Sequence, residues 1–340
     1  MQEYTSKTVY VGIDVHKRSY SVTAICERQI VKKDRLPASP EVLVDYCKNK
    51  FKGATICTAY EAGFCGFSLH RILVSLGIDN RIVHPAGIEI AARERVKNDR
   101  RDSEKIATQL SEGRLKGIHI PTAQREGYRE VSRLRESFVC KRNQTAAQIK
   151  SFLHRQGLFT EMDDKILSQK KVESLMKRGA GDASYALSKL CEEWLYLTKQ
   201  LKEVQKKLQE QAGEDALETI YRSLPGVGPT VARVLANELG DMSQFANEKQ
   251  LFSYTGLTPR EHSSGEHRWL GHISRQGKSI VRKVLVQAAW RAIRIDKGLE
   301  KRFIQLSQRV GKRRAIVAIA RVMIGYARCC LREGRLYEER

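Results

Sequence analysis

The chain lacks long apolar runs and any paired pattern of cysteines. It has no apolar stretch near the ~18 residues that a transmembrane helix needs, and we find no signal peptide or lipidation motif. None of its eight cysteines forms a Cys-x-x-Cys pair, and its eight histidines are scattered. These absences argue against a membrane protein, a disulfide scaffold and a zinc site, and they favour ordinary buried thiols in a reducing cytoplasm.

Acidic residues are also in short supply. The 340 residues include 61 Lys and Arg but only 39 Asp and Glu, which gives a net charge of +22. Residues 260–335 alone hold nineteen basic and five acidic side chains. Such an excess predicts a polyanionic partner, most simply nucleic acid, and the length predicts two or three domains.

The chain is organised around an apolar run near its start, Val9–Ile13, which is followed by Asp14. The run predicts a buried strand, and the alternating segment Ser19–Ile25 predicts the second strand of a hairpin. An acid in such a strand is costly unless it is paired or binds a metal. On this stretch alone, a turn carboxylate that caps the hairpin and a functional carboxylate are equally good interpretations.

Three further acids change that balance. Glu61 ends a second strand-like run, and Asp99 and Asp102 are three residues apart in a predicted helix, so they share one face. Carboxylate oxygens suit Mg²⁺, and two-metal sites clamp a phosphodiester. Because Arg100, Arg101 and Lys105 surround the helix pair, a solvated helix face is the alternative for each acid taken singly. The ordered set favours a metal site.

Three regions follow from the predicted elements. Residues 1–120 alternate strands and helices, with helices expected near Pro40–Lys50 and Gly66–Leu76, and the placement of the acids is similar to the ribonuclease H-like fold of RuvC-type nucleases. Residues 121–219 are predicted to be long helices, and residues 220–335 a mainly α-helical domain. The sequence thus predicts an α/β domain followed by helical regions.

The middle region has two features. The first helix, from Gln124 to Gly157, has basic faces that we expect to contact nucleic acid backbone. In the second, apolar residues from Leu187 to Leu208 follow a heptad pattern over about three heptads. The pattern favours a coiled coil between subunits, and one half of an intramolecular helical hairpin is the alternative.

The C-terminal region begins with a segment, Ser223–Ala232, that resembles a helix-hairpin-helix. Its Gly226 and Gly228 would present backbone N–H groups to a phosphate, although a plain helix–turn–helix connection explains the same residues. Further on, Ser264 lies on a predicted Gly-flanked loop. A serine in a basic field can attack phosphorus, but Ser-Ser-Gly is also an ordinary turn. The basic residues expected to contact nucleic acid are Arg260, Arg268, Arg275, Lys278 and Arg282.

The order of these motifs resembles the DEDD transposases of the one-ten insertion-sequence family, which are bridge-RNA-guided serine recombinases. The resemblance rests on Gly12–Lys17, Tyr60–Ala62, Lys97–Asp102, Leu224–Gly228 and Gly256–Pro259 with Ser264-Gly265, and it covers nearly the whole chain. It implies a RuvC-like domain in which Asp14, Glu61, Asp99 and Asp102 bind Mg²⁺. It also implies that Ser264 is the nucleophile that becomes joined to DNA. The resemblance further implies that the protein binds donor and target DNA and a guide RNA, and that it forms a homo-oligomer from dimer to tetramer. It also implies a cytoplasmic, nucleoid-associated location in a prokaryote.

One position departs from the family pattern, because Asn98 stands where the family commonly has Thr. Asn can still hydrogen-bond a carboxylate, so the assignment is little affected. The expected function is RNA-guided cleavage and exchange of DNA strands for a mobile element. Two alternatives remain at this point: a metal-only RuvC-like nuclease that acts on branched DNA, and a non-catalytic nucleic-acid-binding protein.

Overall fold

The protein forms two compact units. The computed structural model describes residues 4–89, 99–164, 166–178, 181–213, 215–264 and 267–338. Unit 1 spans Met1–Ile120 and unit 2 spans Pro121–Arg340. The helical middle and the C-terminal region, which the sequence analysis separated near residue 220, therefore belong to one unit.

Unit 1 is built on a mixed five-stranded sheet with the strand order β3-β2-β1-β4-β5. The central strand β1 pairs antiparallel with β2 and parallel with β4, and β4 pairs parallel with β5. This arrangement confirms the predicted α/β character and is consistent with a ribonuclease H-like fold. The strands are β1 (Thr8–Val15), β2 (Ser19–Cys26), β3 (Gln29–Pro37), β4 (Thr55–Glu61) and β5 (Asp79–Val83).

Helices cover both faces of this sheet. On one face, α1 (Pro40–Lys50) and α2 (Ser68–Ser75) contribute to an apolar core that includes Val11, Ile13 and Tyr60. On the other face, α3 (Asp99–Ser111) packs through Ile106 and Leu110 against Ala59 of β4. Alternation along the strands explains the division, because neighbouring residues such as Ala59 and Tyr60 point to opposite faces.

Unit 2 is mainly helical, as predicted. Among the described residues, no helix is both long and apolar enough to cross a membrane. Its elements are α4 (Ala123–Arg155), α5 (Gln169–Leu175), α6 (Gly181–Gly213), α7 (Ala216–Ser223), α8 (Pro229–Leu239), α9 (Glu248–Thr255), the hairpin strands β6 (Pro259–Ser264) and β7 (His267–Ile273), α10 (Ser279–Ala292), α11 (Lys297–Val310) and α12 (Lys312–Glu333). Short 3₁₀ turns occur at Pro85–Gly87 in unit 1 and Glu161–Asp164 in unit 2.

The heptad seam of α6 is buried within the chain itself. Leu187 and Trp194 share an apolar cluster with Ile149 and Leu153 of α4, and Leu197 is only 4% exposed. The preference for a coiled coil between subunits is therefore wrong for this seam, and the intramolecular hairpin is what the structure shows. A heptad pattern specifies an apolar stripe and leaves the identity of the opposing helix open.

Candidate active site and nucleic-acid interface

The first two predicted carboxylates lie side by side at one edge of the sheet. In the parallel pair β1–β4, Ile13 is opposite Tyr60, and Asp14 and Glu61 are the next residues of their strands. Adjacent strands are about 4.8 Å apart, so the two acids start from neighbouring backbone positions. Because Ile13 and Tyr60 point into the core beneath α1 and α2, Asp14 and Glu61 project to the face that α3 covers.

Gly12 brings α3 directly onto β1. A Cβ atom at Gly12 would overlap the carbonyl oxygen of Ser103 and lie 3.0 Å from the Cα of Ala107. The hydroxyl of Ser103 also shares a 2.9 Å hydrogen bond with that of Thr23 on β2. Only glycine permits such close approach of a helix to a strand.

The direction of α3 places its first turn toward the carboxylate edge. Ser103 lies over Gly12, whereas Ile106 and Leu110 belong to a cluster against which Tyr10 packs, nearer the start of β1. The residues that precede Ser103, including Asp102, therefore lie toward Asp14. The backbone of Asp99 begins this helix, while its side chain lies outside the described residues, as does all of Asn98.

Each described acid at this edge is partly open to solvent or paired with a cation. Asp14 Oδ2 is 3.1 Å from Nε2 of His16, and Asp102 accepts a 3.2 Å hydrogen bond from Lys105. Glu61 is exposed. His16 and Lys105 are functional candidates that the sequence analysis did not assign, although both stand within three residues of a predicted acid.

The donor chemistry at this edge suits a hard divalent cation. Asp14 and Glu61 offer carboxylate oxygens, which are the ligands that Mg²⁺ prefers, and neither side chain is buried. Among the described residues, no cluster of three or more Asp, Glu, His or Cys is spaced to hold a metal ion. The structure thus juxtaposes two of the four predicted acids and directs the helix that carries the other two toward them.

In unit 2, α7 and α8 form the two-helix hairpin that the sequence suggested. Gly226 has a φ of +71°, and a Cβ there would lie 2.6 Å from the amide nitrogen of Ala292 on α10. The positive φ of the turn and the close approach of α10 therefore both require glycine at position 226. Gly228 is the N-cap of α8, and a guanidinium nitrogen of Arg291 would lie 3.6 Å from a Cβ at that position.

Ser264 ends a β-strand, whereas its neighbouring residues predict a loop. Strands β6 and β7 form a two-stranded sheet in which Ser264 pairs with His267 and His262 pairs with Trp269. Ser264 therefore stands at the tip of a β-hairpin, and its side chain and that of Arg268 lie outside the described residues. Arg260, Glu261 and His262 show no alternation of apolar and polar residues, so the local sequence carries no strand signal there.

The predicted basic contacts divide into exposed and structural groups. Arg260 and Arg275 are exposed, so they can meet a polyanion. Arg282 instead donates hydrogen bonds to the carbonyl oxygens of Thr255 (3.0 Å) and Gly277 (3.3 Å), and burial lowers the pKa of Lys278. Arg282 thus links the segments that precede and follow the hairpin, and Lys278 is partly buried.

Part of the basic face of α4 is used inside unit 2, so its expected contact with nucleic acid stays a prediction for the remaining basic residues. Arg129 is buried and donates to the carbonyl oxygens of Asn237 (2.7 Å) and Glu238 (3.0 Å) at the end of α8. Arg133 binds the carboxylate of Glu238 at 2.9 Å, and Arg125 pairs with Asp215. Arg129 thus caps α8, because a helix C-terminus has unsatisfied carbonyl groups and a partial negative charge. Arg125 and Arg133 instead form ion pairs with carboxylates.

The comparisons with known families agree with this architecture. Residues 11–156 match a family model described as a transposase, and residues 218–305 match the model of the transposase IS116/IS110/IS902 family. Together the two matches span more than half of the chain. They include Asp14 and Glu61 at the carboxylate edge and the β6–β7 hairpin that carries Ser264, here called the serine hairpin.

Curated relatives give the same result. The chain is 27% identical over 291 residues to a putative transposase of Sinorhizobium fredii, covering 84% of this chain and 72% of that protein. It is also 27% identical to the transposase for insertion sequence element IS1111A of Coxiella burnetii, covering 78% of this chain and 74% of that protein. The fold and these matches define an insertion-sequence transposase. The chain belongs to the IS110 family of these enzymes.

Proposed function

We propose that this transposase is an RNA-guided DNA recombinase that uses a carboxylate-bound Mg²⁺ site and a serine nucleophile. The observation that carries the proposal is the alignment of Asp14 and Glu61 at the carboxyl ends of neighbouring parallel strands, beneath the helix of Asp99 and Asp102. The family resemblance supplies the role of Ser264. Since the curated relatives are bacterial, the expected setting is the cytoplasm, where the chromosome is accessible.

The proposed reaction has two steps, cleavage of one strand and joining to a second. The Ser264 oxygen bonds to phosphorus and gives up its proton to a base, while the bond between phosphorus and one deoxyribose oxygen breaks and that oxygen takes up a proton. A hydroxyl group of a second strand then attacks the phosphoserine, which restores the serine and joins the strands. A divalent ion held by the four acids would stabilise the charge that develops on the phosphate.

Exposed basic residues support binding to more than one polyanion. Each internal ion pair cancels one positive and one negative charge, so the net charge of +22 is a surplus beyond all the acids of the chain, and residues 260–335 hold much of it. A guide RNA and two DNAs, shared within a homo-oligomer of two to four chains, would match this surplus. Co-purification of a non-coding RNA whose loops pair with the flanking DNA is the expected result.

The serine role is tested by trapping the covalent intermediate. Protein, RNA and donor DNA are mixed, denatured, and separated to detect a protein–DNA adduct. We expect the adduct from wild type and from the matched control Ser263→Ala, and none from Ser264→Ala. An adduct that persists in Ser264→Ala and maps to another residue would refute the assignment.

The metal-only nuclease remains a second candidate, because adjacent carboxylates at strand ends need no serine for phosphodiester hydrolysis. It predicts cleavage of branched DNA by Ser264→Ala with free ends and no adduct. Loss of cleavage in Asp14→Asn together with retained cleavage in Ser264→Ala would select this function. Loss in both variants supports the recombinase.

A further inference from the structure

A cleft at the C-terminal end of unit 2 lies outside both the carboxylate edge and the serine hairpin. It has a volume of about 610 Å³ and lies between α9, α11, α12 and the segment that follows α12. Clefts that bind small organic groups typically have volumes of about 300–1,000 Å³. The cleft is therefore large enough for a single nucleotide.

One wall carries a stacked cation and ring. The guanidinium carbon of Arg321 lies 4.2 Å from the centre of the Phe252 ring, which is near the distance of flat stacking. Both residues line the cleft, as does Tyr326, whose ring is 5.5 Å from that of Tyr337. Arginine planes and aromatic rings are the surfaces on which single-stranded bases stack.

A second basic group stands on the same cleft. Arg302 is exposed on α11, and among the described residues neither Arg302 nor Arg321 forms an ion pair with an acid. The buried acid Asp296 is occupied, since it accepts from the Leu299 amide at 2.7 Å and from the Tyr337 hydroxyl at 2.6 Å. Glu248 and Glu338 also line the cleft, so its walls hold hydrogen-bond acceptors as well as cations.

A glycine keeps the floor of the cleft open. Gly325 lies four residues after Arg321 on α12, in the middle of a 22-residue helix. Glycine there weakens a helix by about 1 kcal/mol relative to alanine. A Cβ would make ordinary contacts, 3.4 Å from Glu248 and 4.0 Å from Phe252, and only a longer side chain would fill the space.

We propose that this cleft binds one unstacked nucleotide of a single-stranded nucleic acid, with the base against the Arg321–Phe252 stack and the phosphate at Arg302. The proposal rests on the proposed function only in taking the partner to be nucleic acid. Two arginines with no acidic partner among the described residues, the aromatic walls and the bare helix floor together match a base joined to a phosphate. Either single-stranded DNA or single-stranded RNA supplies that chemistry.

Binding of fluorescein-labelled dodecamers to the full-length protein tests the proposal by fluorescence anisotropy. Single-stranded DNA and single-stranded RNA form separate arms, and an unlabelled mononucleotide is the competitor in a third. Two matched pairs isolate the cleft. Arg302→Ala and Lys301→Ala each remove one charge from α11, but only Arg302 lines the cleft. Gly325→Leu fills it, whereas Gly325→Ala barely changes it and also favours the helix.

We expect Gly325→Leu and Arg302→Ala to weaken binding of at least one single-stranded dodecamer about tenfold relative to their controls. The arm that responds identifies the source of the strand. A dodecamer carrying 4-thiothymidine should photocrosslink to the peptide of Tyr326 in wild type and not in Gly325→Leu. These measurements involve no cleavage, so their failure would leave the proposed function untouched, and failure of the Ser264 adduct assay would leave them untouched.

Equal affinities within both pairs, or crosslinks that map only elsewhere, would overturn the proposal. The proposal would also be overturned if the variants changed binding of the free mononucleotide and of neither single-stranded dodecamer. Unchanged circular dichroism and thermal unfolding of Gly325→Leu exclude misfolding as the cause of a loss. If Gly325→Leu misfolds, the Arg302→Ala and Lys301→Ala pair decides the question alone.

Discussion

Adding one methyl group at Gly12 should separate α3 from the sheet and disable the carboxylate edge. In Gly12→Ala the new Cβ would overlap the carbonyl oxygen of Ser103 and crowd the backbone of Ala107. Both obstacles are backbone atoms, so no side chain can rotate away. Overpacking of this kind typically costs about 1–3 kcal/mol, and we expect the upper end of that range here.

The matched control is Gly117→Ala, in the same unit. A Cβ there would lie 3.8 Å from the Cβ of Arg81, which is an ordinary contact, so the free energy of unfolding should change by less than about 0.5 kcal/mol. Denaturant unfolding of both variants gives the comparison. If Gly12→Ala unfolds at the same denaturant concentration as Gly117→Ala, the placement of α3 on β1 is wrong.

The same substitution should also lower the rate of strand cleavage. A helix displaced by about 1 Å moves Asp102 relative to Asp14, and misplacement on that scale costs roughly 100-fold in rate. Strand cleavage by Gly12→Ala, measured where the variant is still folded, should therefore fall much further than its folded fraction. If the rate of cleavage falls only in proportion to the folded fraction, the assignment of Asp102 to the site is wrong.

Three further predictions concern unit 2. Leu187→Ala should lower the free energy of unfolding by about 2–5 kcal/mol without changing the mass measured by light scattering, because this fully buried seam residue packs inside the chain. Arg129→Met should destabilise the unit more than Lys141→Met in thermal unfolding, since it strands two buried carbonyl groups. The pKa of Asp163 is held well below its usual range: burial alone would raise it, but hydrogen bonds from Lys171, Thr160 and Arg178 outweigh that effect. The stability from Asp163 is therefore present above its unfolded pKa of about 3.9 and lost as the pH falls toward the folded value, and acid titration of Asp163→Asn should lack this component.

The sequence predicted the carboxylate strand well because its signal is local. The run before Asp14 and the pairing of its strand with β2 follow from residue types and alternation alone. The contact at Gly12 could not be predicted, since it joins residues about ninety positions apart. Nothing in the local pattern shows that a helix backbone, and not a turn, explains that glycine.

The errors in the helical unit have a common physical origin. A stripe of leucines shows that a face is buried, but the packing partners of Leu187 are set by how α4 and α6 fold together. In the same way, the turn residues around Ser264 concealed a hairpin, because cross-strand pairing with His267 depends on a segment beyond the turn. Periodicity reports burial, and partners are chosen by the tertiary fold.

Net charge in the sequence differs from charge available to a nucleic acid. Arg129, Arg233 and Arg282 bind carbonyl and carboxylate oxygens inside unit 2, so they add to the count without adding to the binding surface. We therefore expect exposed residues such as Arg275 and Arg302 to supply the contacts with phosphate. Because the salt dependence of binding counts only the phosphates that are contacted, removal of an exposed arginine should reduce its slope by about one, whereas Arg282→Met should alter stability and leave the slope unchanged.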